Sequence, residues 1–392
     1  KTLILVAVLL NQLAAAKLVR YITGSKRVGQ LVMILVLLSF QFRPYQDPLT
    51  GFYALMQLIL LFLLGMVYGL IKYLRTGKKR AILFSLILWT LGLFTYEVTF
   101  PFMLMIPLLI AAETKSLKRV ILVSLPFTVA FLAAVGAIFY VRTDLAVNAY
   151  PGVAFSLNDA EVIARTYLRQ TVAALPLNFR TFAHEASVLG KVVPLRQLLN
   201  HTPLQIINSM SILDLGMIAI AAVLIFRIFS RLESERHPKS SGTLAVLGAS
   251  LFLLSGVPIA VSQRYQGQLV PGLGYLPVYL GYYGFAILNA MIAGRIAARS
   301  RAHGYYDRWI LKALTAVYCV TFGVILQDNR SVLTLLDRTF TDPYRPGRAA
   351  LEIGIFDFLP DDALVLSLAP GEYLWEANWE TETGSEPITA EF

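Results

Sequence analysis

Hydrophobic residues occur along this chain in long unbroken runs, separated by short polar stretches. Ten such runs cover about 2–16, 28–42, 51–71, 81–95, 98–112, 120–141, 210–229, 242–261, 274–294 and 308–326. As a helix, about 20 consecutive apolar residues span the hydrocarbon core of a bilayer. The pattern therefore predicts an all-α polytopic membrane protein, with about ten transmembrane helices in residues 1–326.

Composition and the placement of charge agree with this class. Of 392 residues, 57% are hydrophobic and 15% are charged, whereas ordinary soluble domains carry about 25% charged residues. The net charge of +10 does not indicate nucleic-acid binding, because the basic residues cluster in short connections, as is typical of cytoplasmic loops. These connections are Lys17–Arg27, Lys72–Arg80, Lys115–Arg119, Arg227–Lys239 and Arg295–Lys312.

The run 81–112 contains one charged side chain, Glu97. Because the basic connections at its two ends are both expected in the cytoplasm, we predict that it crosses the membrane twice, as two short helices meeting near Tyr96 and Glu97. The alternative is a single tilted helix of about 48 Å, which would place one basic connection on the wrong side. A carboxylate within such a run is a candidate functional residue.

The same alternation places the N-terminus, segment 142–209 and residues 327–392 outside the cytoplasm. Within that segment, 159–174 has the pattern of an amphipathic helix with Asn158 as its N-cap and Glu161 completing a capping box. We expect Val162, Tyr167 and Leu168 to face the membrane surface or the helix bundle. Arg165 and Arg169 are expected to face water or headgroups.

The C-terminal tail has a different character. From residue 351 onward it is acidic and contains no Lys or Arg, and Leu-Pro-Asp-Asp precedes Ala-Leu-Val-Leu-Ser-Leu. This order predicts a turn followed by a strand. We therefore expect residues 327–392 to form a small extracytoplasmic α/β tail or the start of a further domain.

Candidate chemistry gathers at the predicted outer face. In Arg43-Pro-Tyr-Gln-Asp-Pro, Arg43 and Asp47 could contact a phosphate, a sugar or each other, although Asp47 is also suited to cap a helix starting near Leu49. Glu97, beside Tyr96, could bind sugar hydroxyls, hold a divalent cation or act as a base if burial raises its pKa. It could also be an interfacial carboxylate that faces water beside an interface tyrosine.

The outer connection 262–273 and the start of the next run are rich in polar and aromatic residues. Arg264 is the only charged residue between Lys239 and Arg295, and arginine binds phosphate through paired hydrogen bonds; it could also extend to lipid headgroups. Tyr265 and Tyr275 are platforms for a sugar ring or a prenyl chain. We thus predict catalytic roles for Asp47 and Glu97, and substrate-binding roles for Arg43, Tyr45, Tyr96, Arg264, Tyr265 and Tyr275. Apart from the divalent cation, the sequence indicates no cofactor.

These features together resemble the polytopic glycosyltransferases of the GT-C fold. The resemblance consists of many short hydrophobic helices, outer loops with Asp, Glu, Arg and Tyr, an amphipathic outer segment and a soluble outer tail, and residues 43–112 are most similar to bacterial members. It implies an enzyme of the bacterial inner membrane. Such an enzyme moves a sugar from a polyprenyl-phosphate carrier to a glycan, lipid or protein acceptor at the extracytoplasmic face.

The chain departs from that family in one respect. Members usually carry an acidic catalytic residue in the first outer loop, after the first transmembrane helix, whereas the first helix here is predicted to enter from outside. The resemblance therefore implies that a further helix and loop precede Lys1 and carry the main base. Asp47 and Glu97 would then support that base or hold a cation.

Two other interpretations remain open. An O-antigen polymerase or ligase also acts on polyprenyl-linked glycans, and it is favoured by the arginines of segment 142–209, which are Arg142, Arg165, Arg169, Arg180 and Arg196. A non-enzymatic transporter of lipid-linked glycans is the third. Transporters favour ionisable residues at mid-membrane and paired repeats, whereas the polar residues here are predicted at the outer edge.

Overall fold

A computed structural model of the protein describes residues 2–43, 47–49, 54–144, 156–182, 186–188, 191–193, 203–231, 240–269, 271–302 and 307–337. The first half contains α1 (Thr2–Thr23), α2 (Lys26–Ser39), α3 (Leu55–Thr76), α4 (Lys79–Thr95), a 3-10 helix (Glu97–Leu104), α5 (Met105–Thr114) and α6 (Leu117–Asp144). The second half contains α7 (Ala160–Val172), α8 (Asn178–Phe182), α9 (Pro203–Ser209), α10 (Ile212–Ser230), α11 (Ser240–Leu253), a 3-10 turn (Leu254–Gly256), α12 (Val257–Val261), α13 (Gln263–Gln268), α14 (Val278–Ala302) and α15 (Asp307–Leu336). Strands β1 (Ala186–Val188) and β2 (Lys191–Val193) pair antiparallel, with Ala186 opposite Val193.

The helices coincide with the ten apolar runs, and the protein is a multi-pass membrane protein. In the described part of the chain, seven helical segments are long and apolar enough to cross a membrane. Helices α2 and α4, at 14 and 17 residues, are shorter. The expectation of about ten spanning helices is thus met for seven of them.

Burial separates central from peripheral helices. In α3, 61% of the most apolar window is buried inside the bundle, whereas in α6, α10 and α15 the fraction is 22%. Apolar side chains that are not buried against protein are suited to contact lipid chains. Helix α3 is therefore central, and α6, α10 and α15 form the lipid-facing periphery.

The run 81–112 is broken and reversed where the charge pattern predicted. Helix α4 ends at Thr95, and Tyr96 has an extended backbone (φ −166°, ψ 141°) before the 3-10 helix begins at Glu97. Arg75, near the end of α3, forms an ion pair with Glu113, near the end of α5, with 2.8 Å between Nη2 and Oε1. Because α4 follows α3 after a short turn, α4 leaves this end and α5 returns to it.

The bundle has two chemically distinct ends. We call the first the basic end: here the C-termini of α1, α3 and α5 meet the N-termini of α2, α4 and α11, and Thr243 of α11 donates a hydrogen bond to Glu113. The guanidinium of Arg27 donates to the backbone carbonyl of Arg231 at the same end. We call the opposite end, which carries Arg43, Tyr96, Tyr265 and Tyr275, the tyrosine end.

Close backbone contact joins two of the central helices. A Cβ atom placed on Gly284 of α14 would lie 2.4 Å from the amide nitrogen of Phe252 and 2.6 Å from the carbonyl oxygen of Gly248, both on α11. Small residues let membrane helices approach in this way, so that packing contacts replace the hydrophobic drive that lipid does not supply. Helices α11 and α14 accordingly form one of the most extensive pairs.

Several predicted boundaries differ from the structure. Helix α3 begins at Leu55 instead of residue 51, and α15 continues to Leu336 instead of ending at 326. The N-cap of α7 is Asp159, whose carboxylate accepts hydrogen bonds from the amides of Glu161 and Val162, so Asn158 was the wrong cap by one position. Residues 327–336 of the predicted tail thus belong to α15, while the predicted strand and residues 338–392 lie outside the described residues.

The orientation of α7 differs from the expectation at one position. Its buried side chains are the polar Thr166, Gln170 and Thr171, while Leu168 is 58% exposed, as a residue that faces the membrane surface would be. Arg165 is exposed as expected, but Arg169 is half-buried and donates to the carbonyl of Leu269 at 3.3 Å. Helix α7 therefore docks through hydrogen-bonding groups.

Candidate functional site

Arg43 lies at the centre of a hydrogen-bond network beneath the tyrosine end. Its side chain is buried, and Nη2 donates to the carbonyl of Ala173 at 2.7 Å and to the hydroxyl of Tyr282 at 2.9 Å, while Nη1 donates to the carbonyl of Gly272 at 3.5 Å. The hydroxyl of Tyr282 in turn donates to the carbonyl of Gln41 at 3.4 Å. One guanidinium thus ties together segment 40–43, the end of α7, loop 271–277 and α14.

Asp47 fixes the backbone next to Arg43. Its Oδ2 accepts the amide of Arg43 and its Oδ1 accepts the amide of Leu49, each at 2.8 Å, and the residue is 7% exposed. The carboxylate therefore stabilises a turn at Pro48 and Leu49. Helix α3 begins at Leu55. Of the contacts considered for Arg43 and Asp47 from the sequence (a phosphate, a sugar or each other), the structure shows the contact with each other, through the backbone amide of Arg43.

Loop 271–277 is held in place by two side-chain amides. Gln170 of α7 accepts the amide of Tyr275 at 2.8 Å and donates to its carbonyl at 3.2 Å, and Asn178 donates to the carbonyl of Gly272 at 2.8 Å. Gly274 has φ +64°, and a Cβ there would lie 2.6 Å from the Cβ of Ala173 and 3.1 Å from Nη1 of Arg43. Only glycine fits this left-handed conformation and close approach without strain.

Tyr275 of this loop meets two tyrosines from other parts of the sequence, Tyr96 and Tyr265. We call these three residues the tyrosine cluster. The rings of Tyr265 and Tyr275 lie with centroids 4.3 Å apart and tilted by 37°. Tyr96 interacts electrostatically with both of them and with the neighbouring Glu97. The structure thus brings the end of α4, helix α13 and loop 271–277 to one place.

Burial raises the pKa of two of these phenols, Tyr96 and Tyr265. It raises the pKa of Tyr96 from 10.0 to about 12, with smaller contributions from Tyr275 and Glu97. It raises the pKa of Tyr265 further, together with a hydrogen bond to Tyr275, while Arg264 acts in the opposite direction. Because a neutral phenol both donates and accepts hydrogen bonds, the cluster presents hydroxyl groups on an aromatic surface.

Two charged side chains flank the tyrosine cluster. Glu97 and Arg264 are both half-buried, and Nε of Arg264 donates to Oε1 of Gln268 at 3.0 Å. Glu97 follows Tyr96 directly, and Arg264 precedes Tyr265. A carboxylate and a guanidinium therefore lie beside the partly accessible rings of Tyr96 and Tyr265, whereas Tyr275 is buried, at 5% exposure.

Buried amides continue from the tyrosine end into the bundle. Asn11 donates to the carbonyl of Gln57 at 2.9 Å and to the hydroxyl of Tyr279 at 3.1 Å. Among the described residues, however, no partner is found for Oδ1 of Asn11, Oε1 of Gln57 or either amide atom of Gln12. Buried polar atoms are normally satisfied by protein or ordered water, so these atoms call for water or a polar ligand.

The arginines of segment 142–209 have different roles. Arg180 forms a bidentate ion pair with Asp328 of α15, with 2.7 Å between Nη2 and Oδ1, and Arg169 holds Leu269. Arg165 is exposed. The side chain of Arg142 and all of Arg196 lie outside the described residues, as does Tyr45.

Of the predicted site residues, Tyr96, Glu97, Arg264, Tyr265 and Tyr275 come together, while Arg43 and Asp47 form the adjacent buried network. Sequence reasoning missed Gln170, Asn178 and Tyr282. The polar stripe Thr166, Gln170 and Thr171 on an otherwise amphipathic helix is the signal that could have revealed Gln170. In the described part of the chain, no three His, Cys, Asp or Glu side chains lie close enough together to hold a metal ion.

Comparisons of this chain with protein-family models, with curated proteins and with solved structures find no match.

Proposed function

We propose that this protein is a membrane glycosyltransferase that moves a sugar from a polyprenyl-phosphate carrier to an acceptor at the tyrosine end of the bundle. The observation that carries the proposal is the joining of the tyrosine cluster with Glu97 and Arg264. Aromatic faces bind the apolar face of a sugar ring, a carboxylate accepts hydrogen bonds from its hydroxyls, and a guanidinium binds phosphate. The partners are thus a lipid-linked sugar and a glycan, lipid or protein acceptor.

The charge asymmetry supports the location. The basic end is expected to face the cytoplasm, and this supports our proposal that the tyrosine end faces the extracytoplasmic side of a bacterial inner membrane. A polyprenyl chain would lie along the lipid-facing helices and present its phosphate at this level. The position of Arg264, outside the spanning helices, suits it to bind that phosphate.

In the transfer step, a base removes the proton from an acceptor hydroxyl, and the oxygen attacks the anomeric carbon of the sugar. The bond from that carbon to the phosphate oxygen breaks, and the polyprenyl phosphate leaves with the electron pair. Arg264 stabilises the developing negative charge on the phosphate. Glu97 orients the sugar or acceptor through its hydroxyls. If the reaction uses a divalent cation, Glu97 would contribute a carboxylate ligand to it, and the cation would supply positive charge for the phosphate.

Arg43 and Asp47 are assigned positioning roles in this proposal. Arg43 is 1% exposed, and its two terminal nitrogens donate to backbone carbonyls and to Tyr282, so it acts by holding loop 271–277, which carries Tyr275. Asp47 holds the backbone of Arg43 in turn. Loss of either side chain would displace the tyrosine cluster without removing a group that contacts the sugar.

The site supports the O-antigen polymerase interpretation less well. That interpretation drew on the arginines of segment 142–209, and two of these, Arg169 and Arg180, are engaged in holding loop 262–269 and α15 in place. Their charges serve packing between elements of the same chain.

The unpartnered amide atoms of Asn11, Gln12 and Gln57 favour a transporter of lipid-linked glycans as a second candidate. A buried polar track that requires water or a polar ligand is suited to passing a hydrophilic headgroup between helices. Transport leaves the sugar–phosphate bond intact, whereas transfer breaks it. The two functions are therefore separated by the product.

The test is transfer of radiolabelled sugar from a polyprenyl-phosphate donor to membrane acceptors, with the full-length protein in detergent or liposomes. We expect Glu97→Gln and Arg264→Gln to reduce the rate by about 100-fold or more, as the loss of one charge-stabilising group does in other enzymes. Glu161→Gln and Arg165→Gln are the matched controls, because these exposed residues of α7 carry the same charges and take no part in the contacts described for the tyrosine cluster.

Unchanged rates in Glu97→Gln and Arg264→Gln, with all variants folded, would exclude this site. Movement of an intact lipid-linked sugar across liposomes without release of polyprenyl phosphate would replace the proposal with the transporter.

A further inference from the structure

A cavity of about 390 Å³ lies at the basic end, between α3 and α4. Its lining includes Tyr68 and Lys72 of α3, Lys78 of the connecting turn, and Arg80 and Phe84 of α4. Three of the side chains around this cavity are cationic, and its lining contains no carboxylate. The surface inside the cavity is almost entirely apolar, so the site suits a ligand that combines apolar chains with an anionic group for the surrounding cations.

More positive charge converges on the same place from α1. The ammonium group of Lys17 lies 5.8 Å from the ring centroid of Tyr68, and that of Lys72 lies 5.5 Å from it. Two cations that share one aromatic ring gain cation–π attraction but repel each other. An anion bound between them would remove that repulsion.

The carboxylate on α5, Glu113, already has hydrogen-bond and charge partners. Glu113 accepts two hydrogen bonds from Arg75, at 2.8 and 3.2 Å, and a third from Thr243 at 2.8 Å. Among the residues that the structure describes, none of Lys17, Lys72, Lys78 and Arg80 forms an ion pair. The local field is therefore positive, and an external anion is attracted to it.

The depth and surroundings of the cavity indicate that the anion belongs to a lipid. Lys72 lies in the last turns of a spanning helix, at the level where headgroups meet the hydrocarbon. Below it on α4, Leu83, Phe84 and Ile87 are 58%, 47% and 50% exposed. A ligand with a negative head and apolar chains matches both regions, whereas a soluble anion uses only the first.

We propose that this cavity binds the headgroup of an anionic phospholipid. The phosphate lies between Lys72, Lys78 and Arg80, and the acyl chains lie along the exposed apolar side of α4. Basic pockets between membrane helices bind anionic headgroups elsewhere by the same physics. The site is at the opposite end of the bundle from the tyrosine cluster and is independent of the proposed glycosyl transfer.

The test measures binding of phosphatidylglycerol, titrated in mixed detergent micelles, to the purified full-length protein. The variant Lys78→Gln/Arg80→Gln removes two exposed cations of the cavity. The matched control is Lys115→Gln/Lys118→Gln, which removes two cations at the same end but outside the cavity lining. Phosphatidylcholine and inorganic phosphate are the comparison ligands, and thermal unfolding verifies that each variant is folded.

We expect the Lys78→Gln/Arg80→Gln variant to bind phosphatidylglycerol about thirtyfold more weakly, since each basic residue near a membrane surface contributes about 1 kcal/mol to the attraction. The control is expected to bind as the unchanged protein does, and Lys72→Gln to weaken binding with Lys72→Arg restoring it. Equal weakening in the control would mean that the total charge of the basic end attracts lipid, and would overturn the proposal that the cavity is the binding site. Full competition by inorganic phosphate would show that the ligand is a soluble phosphate and not a lipid.

Discussion

The guanidinium of Arg75 and the carboxylate of Glu113 form a two-point ion pair that joins the ends of α3 and α5. Nη2 lies 2.8 Å from Oε1 and Nε lies 3.2 Å from Oε2, and the Glu113 side chain is 6% exposed. Arg75 also donates to the carbonyls of Tyr21 and Ile22 at the end of α1. One arginine thus joins the ends of α1, α3 and α5. It thereby stabilises the hairpin formed by run 81–112.

Replacing Glu113 should therefore destabilise the bundle. Glu113→Ala leaves a mostly buried guanidinium without its charge partner, and we expect a loss of about 3 kcal/mol in the free energy of unfolding. Arg330→Gln is the control, because Arg330 pairs with Asp214 while 48% exposed, and an exposed pair contributes about 1 kcal/mol or less. Denaturant unfolding in detergent measures both, and equal losses would contradict the special role of the Arg75–Glu113 pair.

The contact between α11 and α14 predicts a difference between two glycine substitutions. Gly284→Ala places a methyl group within van der Waals overlap of the α11 backbone, and we expect a loss of about 1–3 kcal/mol as the helices separate. Around Gly216 of α10 there is open space, so Gly216→Ala should gain up to about 1 kcal/mol through helix propensity. The signs of the two shifts in unfolding temperature are the measurement, and a gain at Gly284 would show that the helices adjust freely.

The ion pair between Arg180 and Asp328 predicts coupling between α8 and α15. The Asp328 side chain is 4% exposed. Asp328→Asn should therefore lower the free energy of unfolding by about 3 kcal/mol, because it removes the carboxylate that pairs with Arg180. Removing both charges, in Arg180→Met/Asp328→Leu, should recover much of that loss, since an apolar pair avoids the desolvation of two ions. A double-mutant cycle on the free energy of unfolding tests this, and simple additivity would show that the pair is not coupled.

The raised pKa of Tyr96 leads to a prediction about the titration of the protein at alkaline pH. Because the pKa of Tyr96 is about 12 in the folded protein and 10.0 without burial, its proton is held more tightly in the folded state. The stabilisation is complete below pH 10 and is lost as the pH rises through about 12. Ultraviolet titration of tyrosinate should show that Tyr96→Phe lacks one phenol that titrates near pH 12, and loss of a phenol that titrates near pH 10 instead would mean that Tyr96 is exposed.

Much of the helical architecture could be predicted from the chain alone. Long apolar runs separated by basic connections are sufficient to locate helices, since in a membrane the backbone must satisfy its own hydrogen bonds and the pattern of Lys and Arg orients the segments. The reversal at Tyr96 followed from charge parity between two connections. The start of α3 and the end of α15 did not follow, because hydropathy does not mark where a helix continues through polar residues such as Asp328, whose partner Arg180 lies far away in the sequence.

The candidate site was predicted only in part. The residue types that carry it, Tyr96, Glu97, Arg264 and Tyr265, stood out because they interrupt apolar stretches. Gln170 did not stand out, because it binds the backbone of Tyr275. Any residue type offers the same backbone groups, so this contact cannot be inferred from the sequence. The sequence likewise did not show whether Arg43 is exposed at the surface or is buried and hydrogen-bonded to several segments of the chain.

Hydropathy and charge thus determine that this is a multi-pass helical protein with one basic end, since both are local properties of consecutive residues. The tertiary structure decides which polar residues meet. It buries Arg43 among carbonyls, gathers Tyr96, Tyr265 and Tyr275 on one surface, and leaves Lys72, Lys78 and Arg80 around a cavity. These outcomes depend on contacts between residues far apart in the chain, where packing and desolvation decide between exposure and burial.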